Sequence, residues 1–260
     1  MMRLQTGGGE LTEDAVLGGA LRLRQPRRGH RVGHDAILLA ASCPAERGDH
    51  VVELGAGVGA AGLALALRAA DITVTLVEID LDLAALAAEN ARLNQLDARV
   101  KPIVLDAAAP ARAFAAVGLR PDSVSRVLMN PPFNEPLRQR PSPDRRRRLA
   151  HAAPREMLSA WIKAAARLLG PRGTLTLIFR ADGLADLLKC LDGAFGAIAI
   201  LPVYAKPGQP AIRVLVRATK ASRAPLALCP GLILNNMAGE PTPEAEAILR
   251  NGALLPLAQV

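Results

Sequence analysis

Aromatic residues are scarce in this chain of 260 residues, at 2% of the total. The core must therefore be filled by Ala, Val and Leu, and an aromatic in a loop carries more information than usual. Cysteine is scarce too. Cys43, Cys190 and Cys229 are scattered, odd in number and lack CxxC spacing, so a disulfide framework is excluded in favour of reduced thiols. The four histidines form no HExxH or related ligand pattern, and no metal site is expected. Long apolar runs are missing as well: charges or glycine interrupt each one before it could span a bilayer. The opening stretch MMRLQTGGGE has no apolar signal core, and the reading is a soluble, cytoplasmic protein. Acids are outnumbered by bases, with a net charge of +8, which favours a polyanionic partner. The length suits one large domain, or one domain with appendages.

Among what is present, the chain is organised around NPPF, Asn130 to Phe133, after the apolar run Val124–Met129. Two prolines cannot continue a strand ladder, because neither has an N–H to donate. They can stiffen a loop at the carboxyl end of a strand, where open α/β sheets place their chemistry. An amide (Asn130) and a carbonyl (Pro131) can accept hydrogen bonds from a planar amino group, and the ring of Phe133 can stack on the heterocycle that carries it. The loop reads as a grip for an exocyclic amine, with Pro132 as its stiffener.

Upstream, His50–Leu54 reads as a buried strand, followed by the turn Gly55-Ala-Gly-Val-Gly59 and an Ala/Leu-rich helix, Ala60–Ala70. Strand, glycine turn and helix form the first unit of a nucleotide-binding half-sheet. The second strand, Thr73–Val77, ends in Glu78, placed to accept ribose hydroxyls, with Asp80 as a competitor for that role. A helix over 81–96 and a strand over 100–105 follow. Asp106 then stands where a carboxylate could accept from an adenine amino group, or simply cap a turn. Residues 107–121 read as a partly helical linker, 152–169 as a helix stopped by Gly170-Pro-Arg-Gly173, and 174–179 as the fifth strand. Trp161 sits among Leu158, Ile162 and Ala165 at helical spacing and is expected in the core. Residues 184–191 read as a helix, and 197–203 and 212–218 as strands, the last of them antiparallel.

Elsewhere, residues 1–13 read as a flexible N-terminus, 14–220 as the main domain and 221–260 as an extension packed on it. Leu17–Leu23 reads as a short strand, and Arg31–Ala40 as a turn feeding a helix with Asp35 near its start, where an acid suits the dipole. The run Arg145-Arg-Arg-Arg148 is read either as a solvated helix start or as a phosphate contact for a polyanion approaching NPPF.

The set VVELGAGVG (51–59), VEID (77–80), LD (105–106) and NPPF (130–133) resembles the Rossmann-like, S-adenosylmethionine-dependent methyltransferases that modify amino groups. With RVGHDAILLA (31–40), SPDRRRRLAH (142–151) and LNNMAGEPTPEAEAILR (234–250), the chain resembles the bacterial tRNA1(Val) adenine N6-methyltransferase group over roughly residues 12–255. That resemblance implies an α/β fold with a seven-stranded, mostly parallel sheet in the order 3-2-1-4-5-7-6 and helices on both faces. It implies cofactor contacts from Gly33, Asp35, Glu53, Gly55, Gly57, Glu78, Asp106 and Asn130, catalytic roles for Asn130, Pro131, Pro132 and Phe133, and tRNA contact from Arg145, Arg146, Arg147 and Arg148. The chain departs from the pattern with His34 in place of Thr or Ser and Asn134 in place of a second aromatic. Other readings stay open: protein N5-glutamine methylation, ribosomal RNA guanine N2-methylation, a nicotinamide-dependent dehydrogenase, and an RNA-binding module without catalysis.

Overall fold

The computed structural model describes residues 10–27, 31–132 and 154–259. At its centre lies a mostly parallel sheet. Its strands are β3 (His50–Leu54), β4 (Thr73–Glu78), β5 (Val100–Val104), β6 (Val124–Met129), β7 (Leu169–Arg180), β8 (Phe195–Tyr204) and β9 (Ala211–Lys220). Their spatial order is β5-β4-β3-β6-β7-β9-β8, the order 3-2-1-4-5-7-6 expected from the resemblance. Strand β9 runs antiparallel to both neighbours. Two short strands, β10 (Ala227–Leu228) and β11 (Leu232–Ile233), lengthen the β8 edge beyond the seven strands expected.

Side chains on successive strand residues point to opposite faces, and two cores result. Val51, Val74, Leu76 and Leu128 face one of them. It is covered by α1 (His34–Ala41), α2 (Ala60–Arg68), α3 (Leu81–Leu93) and α7 (Pro243–Asn251). Val52, Leu54, Val77, Val127 and Met129 face the other. That side is covered by α4 (Ala111–Ala116), α5 (Pro154–Leu168) and α6 (Leu184–Leu191). Trp161 of α5 and Phe114 of α4 are buried there, each supplying volume that the aliphatic side chains around it do not.

The N-terminal expectation needs correction. Instead of a frayed segment through residue 13 and a single strand over 17–23, an antiparallel hairpin forms. It pairs β1 (Leu11–Val16) with β2 (Leu21–Pro26) around a short 3-10 turn at Leu17–Gly19. On β2, Leu21 and Leu23 are buried and Arg22 and Arg24 point out, the alternation of a half-buried strand. Asn90 of α3, fully buried, anchors this hairpin. Its Oδ1 accepts from Arg24 N at 2.7 Å, and its Nδ2 donates to Arg24 O and to Val58 O, both at 3.0 Å. One side chain thus ties the hairpin to the turn between β3 and α2.

Gly170–Gly173 is corrected too. It does not separate α5 from a strand at 174, because β7 begins at Leu169 and absorbs the segment at a register shift against β6. Among the described residues, no helix is long and apolar enough to cross a membrane.

Candidate active site

A cavity of about 710 Å³ opens at the carboxyl ends of β3, β4, β5 and β6. Gly55, Gly57 and Glu53 line it from β3 and its turn, Glu78 from β4, and Asp106 from the residues after β5. Asn130, Pro131 and Pro132 line it from the end of β6, and Gly33 and Asp35 from the start of α1. The described members of both residue sets read from the sequence therefore share one space. Phe133 and Arg145–Arg148 lie outside the described residues.

Glu78 is 7% exposed, and each of its oxygens is already engaged. Oε2 accepts from Gly57 N at 2.7 Å and Oε1 from Asp80 N at 2.9 Å. A carboxylate offers about four lone-pair sites, so two remain for the hydroxyls of a ligand while the backbone bonds hold the group in place. Asp80, the competitor, is spent as the N-cap of α3, accepting from Asp82 N at 2.9 Å and Leu83 N at 3.2 Å. Asp106 has a turn-capping role. Oδ1 caps a turn through Ala108 N at 2.8 Å, and the residue also borders the cavity.

Glu53 is 4% exposed and accepts from Gly62 N of α2 at 2.7 Å. Burial pushes its carboxyl up to about 8; the Gly62 N–H opposes that shift and the nearby Glu78 adds to it. At neutral pH it is mostly protonated, so burying it leaves no isolated charge.

The glycine turn is shaped by close approach. Gly55 has φ +70°, a left-handed conformation that side chains disfavour. A Cβ there would lie 2.2 Å from Cη2 of Trp161. Trp161 is both core and cavity wall, a role that helical spacing alone did not show.

Sequence reading also missed a wall built from distant elements. Arg213 and Ile212 of β9 and Leu234, just after β11, border the cavity. So does Ile79, which is 51% exposed. Arg213 Nε donates to Asp35 Oδ2 at 3.0 Å, joining β9 to the first turn of α1. No local pattern marks such a pair. The one available signal was an arginine at the start of a strand expected to run antiparallel, which brings a strand start to the cavity edge.

The cavity thus offers carboxylates fit for ribose hydroxyls and an amino group, apolar faces at Ile79 and Leu105 for a flat ring, and an amide beside a carbonyl at Asn130 and Pro131. These features suit an adenosine-containing donor next to an amine acceptor. Among the described residues, no cluster of three or more His, Cys, Asp or Glu side chains could hold a metal ion.

Comparison with known proteins bears on this site. A family model described as the methyltransferase small domain matches residues 30–202. The structure of a predicted O-methyltransferase from Agrobacterium tumefaciens is 29% identical and superposes with a TM-score of 0.71, covering 85% of this chain and 98% of that one. TrmN from Thermus thermophilus is 22% identical with a TM-score of 0.52, covering 71% of this chain and 48% of its own. The 16S rRNA N2 G1207 methyltransferase RsmC of T. thermophilus, solved with AdoMet and guanosine, is 22% identical with a TM-score of 0.54, covering 81% and 50%. This chain spans about half the length of those last two proteins, and at such identity the likeness is one of fold. A sequence search of curated proteins finds no match.

Proposed function

This chain belongs to the methyltransferase small domain family, and from that premise we propose that it methylates an exocyclic amine of a nucleobase, with adenine N6 in tRNA as the first choice. The methyl donor is S-adenosylmethionine, whose sulfonium supplies an activated methyl group. One observation carries the reading: the amide of Asn130 and the carbonyl-bearing Pro131 border the same cavity as Glu78 and Asp106.

The donor contacts assigned are Glu78 to the ribose hydroxyls, Asp106 to the adenine amino group, and the turn Gly55–Gly57, with Gly33, Asp35 and Glu53 completing the wall. On the acceptor side, an aromatic amine is a poor nucleophile because its lone pair is delocalised into the ring. Asn130 Oδ1 and the Pro131 carbonyl, accepting one N–H each, draw the nitrogen toward a pyramidal geometry and stabilise positive charge developing on it. Holding acceptor and donor in line can contribute about 7–11 kcal/mol. No strong general base is needed, since the ammonium-like product readily gives its proton to water.

Two acceptors match an amino group with two N–H bonds better than a hydroxyl with one. This favours N- over O-methylation, although the Agrobacterium relative is described as a predicted O-methyltransferase. The RNA assignment is supported by the net charge of +8, by the Arg145–Arg148 run, and by the RNA substrate named for RsmC. Phe133 is assigned to stack on the target base, worth about 1–3 kcal/mol. A target already unstacked in a loop is favoured over one in a duplex.

The test offers labelled S-adenosylmethionine with total tRNA, ribosomal RNA and release factor separately, with nucleosides identified by mass spectrometry. N6-methyladenosine from tRNA supports the proposal. N2-methylguanosine from ribosomal RNA, N5-methylglutamine in the release factor, or an O-methylated product overturns the substrate and redirects it.

A further inference from the structure

A smaller cavity, of about 160 Å³, shares no lining residue with the candidate active site. It opens where α1, α2 and α7 meet the 3-10 turn of the N-terminal hairpin. Each of these elements gives one large apolar side chain to its wall: Ile37, Leu67, Ile248 and Leu17. The charged side chains on that wall are Arg68 and Arg250, and no acid lines it.

Arg68 closes α2 and is half-buried. Its Nη2 donates to the Cys43 carbonyl at 2.8 Å and to the Ala40 carbonyl at 3.3 Å, both at the end of α1. Among the described residues, no carboxylate pairs with this guanidinium, and Nε and Nη1 have no hydrogen-bond acceptor. Burial pulls its pKa below the ordinary value, as expected for a cation withdrawn from water. Cys43 would supply a nearby anion if ionised, but burial pushes that thiol up to about 12 and keeps it neutral. Arg250 has an exposed partner, Glu246 at 3.8 Å, and such surface pairs are worth little.

A partly desolvated cation held by carbonyl dipoles alone favours an anion at its free N–H groups. The apolar wall beside it favours hydrocarbon. The volume equals that of about five waters in the liquid, which suits a short chain rather than the long acyl chain of a membrane lipid. We propose that this cavity binds a short-chain aliphatic carboxylate. The head accepts from Arg68 Nη1 with Arg250 at the rim, and the chain lies against Ile37, Leu67 and Ile248. An inorganic anion would leave the wall unused, and a neutral hydrocarbon would leave Arg68 without a counter-charge. The site is independent of the donor and acceptor assignments above.

The experiment is isothermal titration of the full chain with three probes. Acetate carries the head, 1-hexanol the chain, and hexanoate both. From acetate to hexanoate, affinity is expected to rise about two- to fourfold per methylene, with hexanol about tenfold or more weaker than hexanoate. Arg68→Gln is expected to weaken hexanoate about tenfold and leave hexanol unchanged. Ala20→Phe places a ring at the exposed lip while keeping Arg68 and its carbonyl bonds, and is expected to weaken both. Melting curves report whether each variant folds. If Arg68→Gln does not, Ala20→Phe and the three-probe comparison decide. Equal affinities for hexanoate and hexanol would make the cavity a plain apolar crevice and overturn the proposal. Equal affinities for hexanoate and acetate, hexanoate binding that does not saturate, or binding that survives Ala20→Phe would overturn it too.

Discussion

Trp161 occupies the space that a side chain on Gly55 would need, with its Cη2 atom 2.2 Å from where a Cβ would sit. The indole comes from α5 and the glycine from the turn after β3, so one contact couples the sheet's second core to the floor of the cavity. Gly55→Ala should combine a clash with a strained left-handed backbone, destabilising by roughly 2–5 kcal/mol. Trp161→Leu opens a cavity with its own cost, so the comparison is made in that background, where adding Gly55→Ala should cost only the backbone part, about 1–2 kcal/mol. Denaturant midpoints of both single variants and the double variant check this, and an equal cost of Gly55→Ala with and without Trp161 would rule out the contact as the cause.

Glu78→Gln keeps the shape but replaces one accepting oxygen by an NH2 that cannot accept from Gly57 N or Asp80 N, while Glu78→Ala releases both N–H groups and every acceptor for ligand hydroxyls. The expected order of donor affinity is unaltered protein, then Gln, then Ala, with Ala weaker by about tenfold or more. Titration calorimetry with S-adenosylhomocysteine reads this directly.

Asn130→Ala removes one of two acceptors assigned to the amine. Turnover should fall about a hundredfold to a thousandfold, with donor affinity within about twofold of the unaltered protein. Single-turnover rates with saturating donor separate the two effects.

Glu53 titrates at about 8 in the folded chain against an ordinary value of 4.5. Between those values the folded state holds a proton that the unfolded state has released, so stability falls as pH rises through that window. The carboxylic acid is fully compatible with the fold below pH 4.5 and costs roughly a few kcal/mol once pH passes 8. Glu53→Gln can still accept from Gly62 N and has no proton to lose. Its stability relative to the unaltered protein should improve from pH 5 to pH 9, as measured by denaturant titration. A constant difference would show that Glu53 does not titrate in this range.

Cys43 is fully buried, and burial pushes its thiol up to about 12. At pH 8 it is neither ionised nor accessible. Iodoacetamide should leave Cys43 unmodified in the folded protein and alkylate it after denaturation, as peptide mass spectrometry would report.

Much of the half-sheet was legible because its signals are local. His50–Leu54, the glycines, Glu78 and Asn130 follow one another in short runs whose spacing encodes strand, turn and strand end. The flexible reading of residues 1–13 overlaps the start of β1 because the polar run LTEDAV resembles a loop until β2 is seen to pair with it. The segment Gly170–Gly173 was read as a stop because Gly and Pro usually break elements, yet a register shift accommodates them here. The pairing of Arg213 with Asp35 was hidden for a different reason: it depends on strand order, which the short runs around either residue do not encode.

The reversed strand that delivers Arg213 sets the order of assembly against the order of synthesis. Among the described strands, β8 pairs only with β9, β10 and β11, all of which follow it in the chain. A nascent chain that has reached Tyr204 therefore presents β8 without a neighbour, while β7 keeps one edge open for a strand not yet made. Such edges invite pairing with other chains. Strand β9 closes both edges by lying between β7 and β8, and it brings Ile212 and Arg213 to the cavity wall.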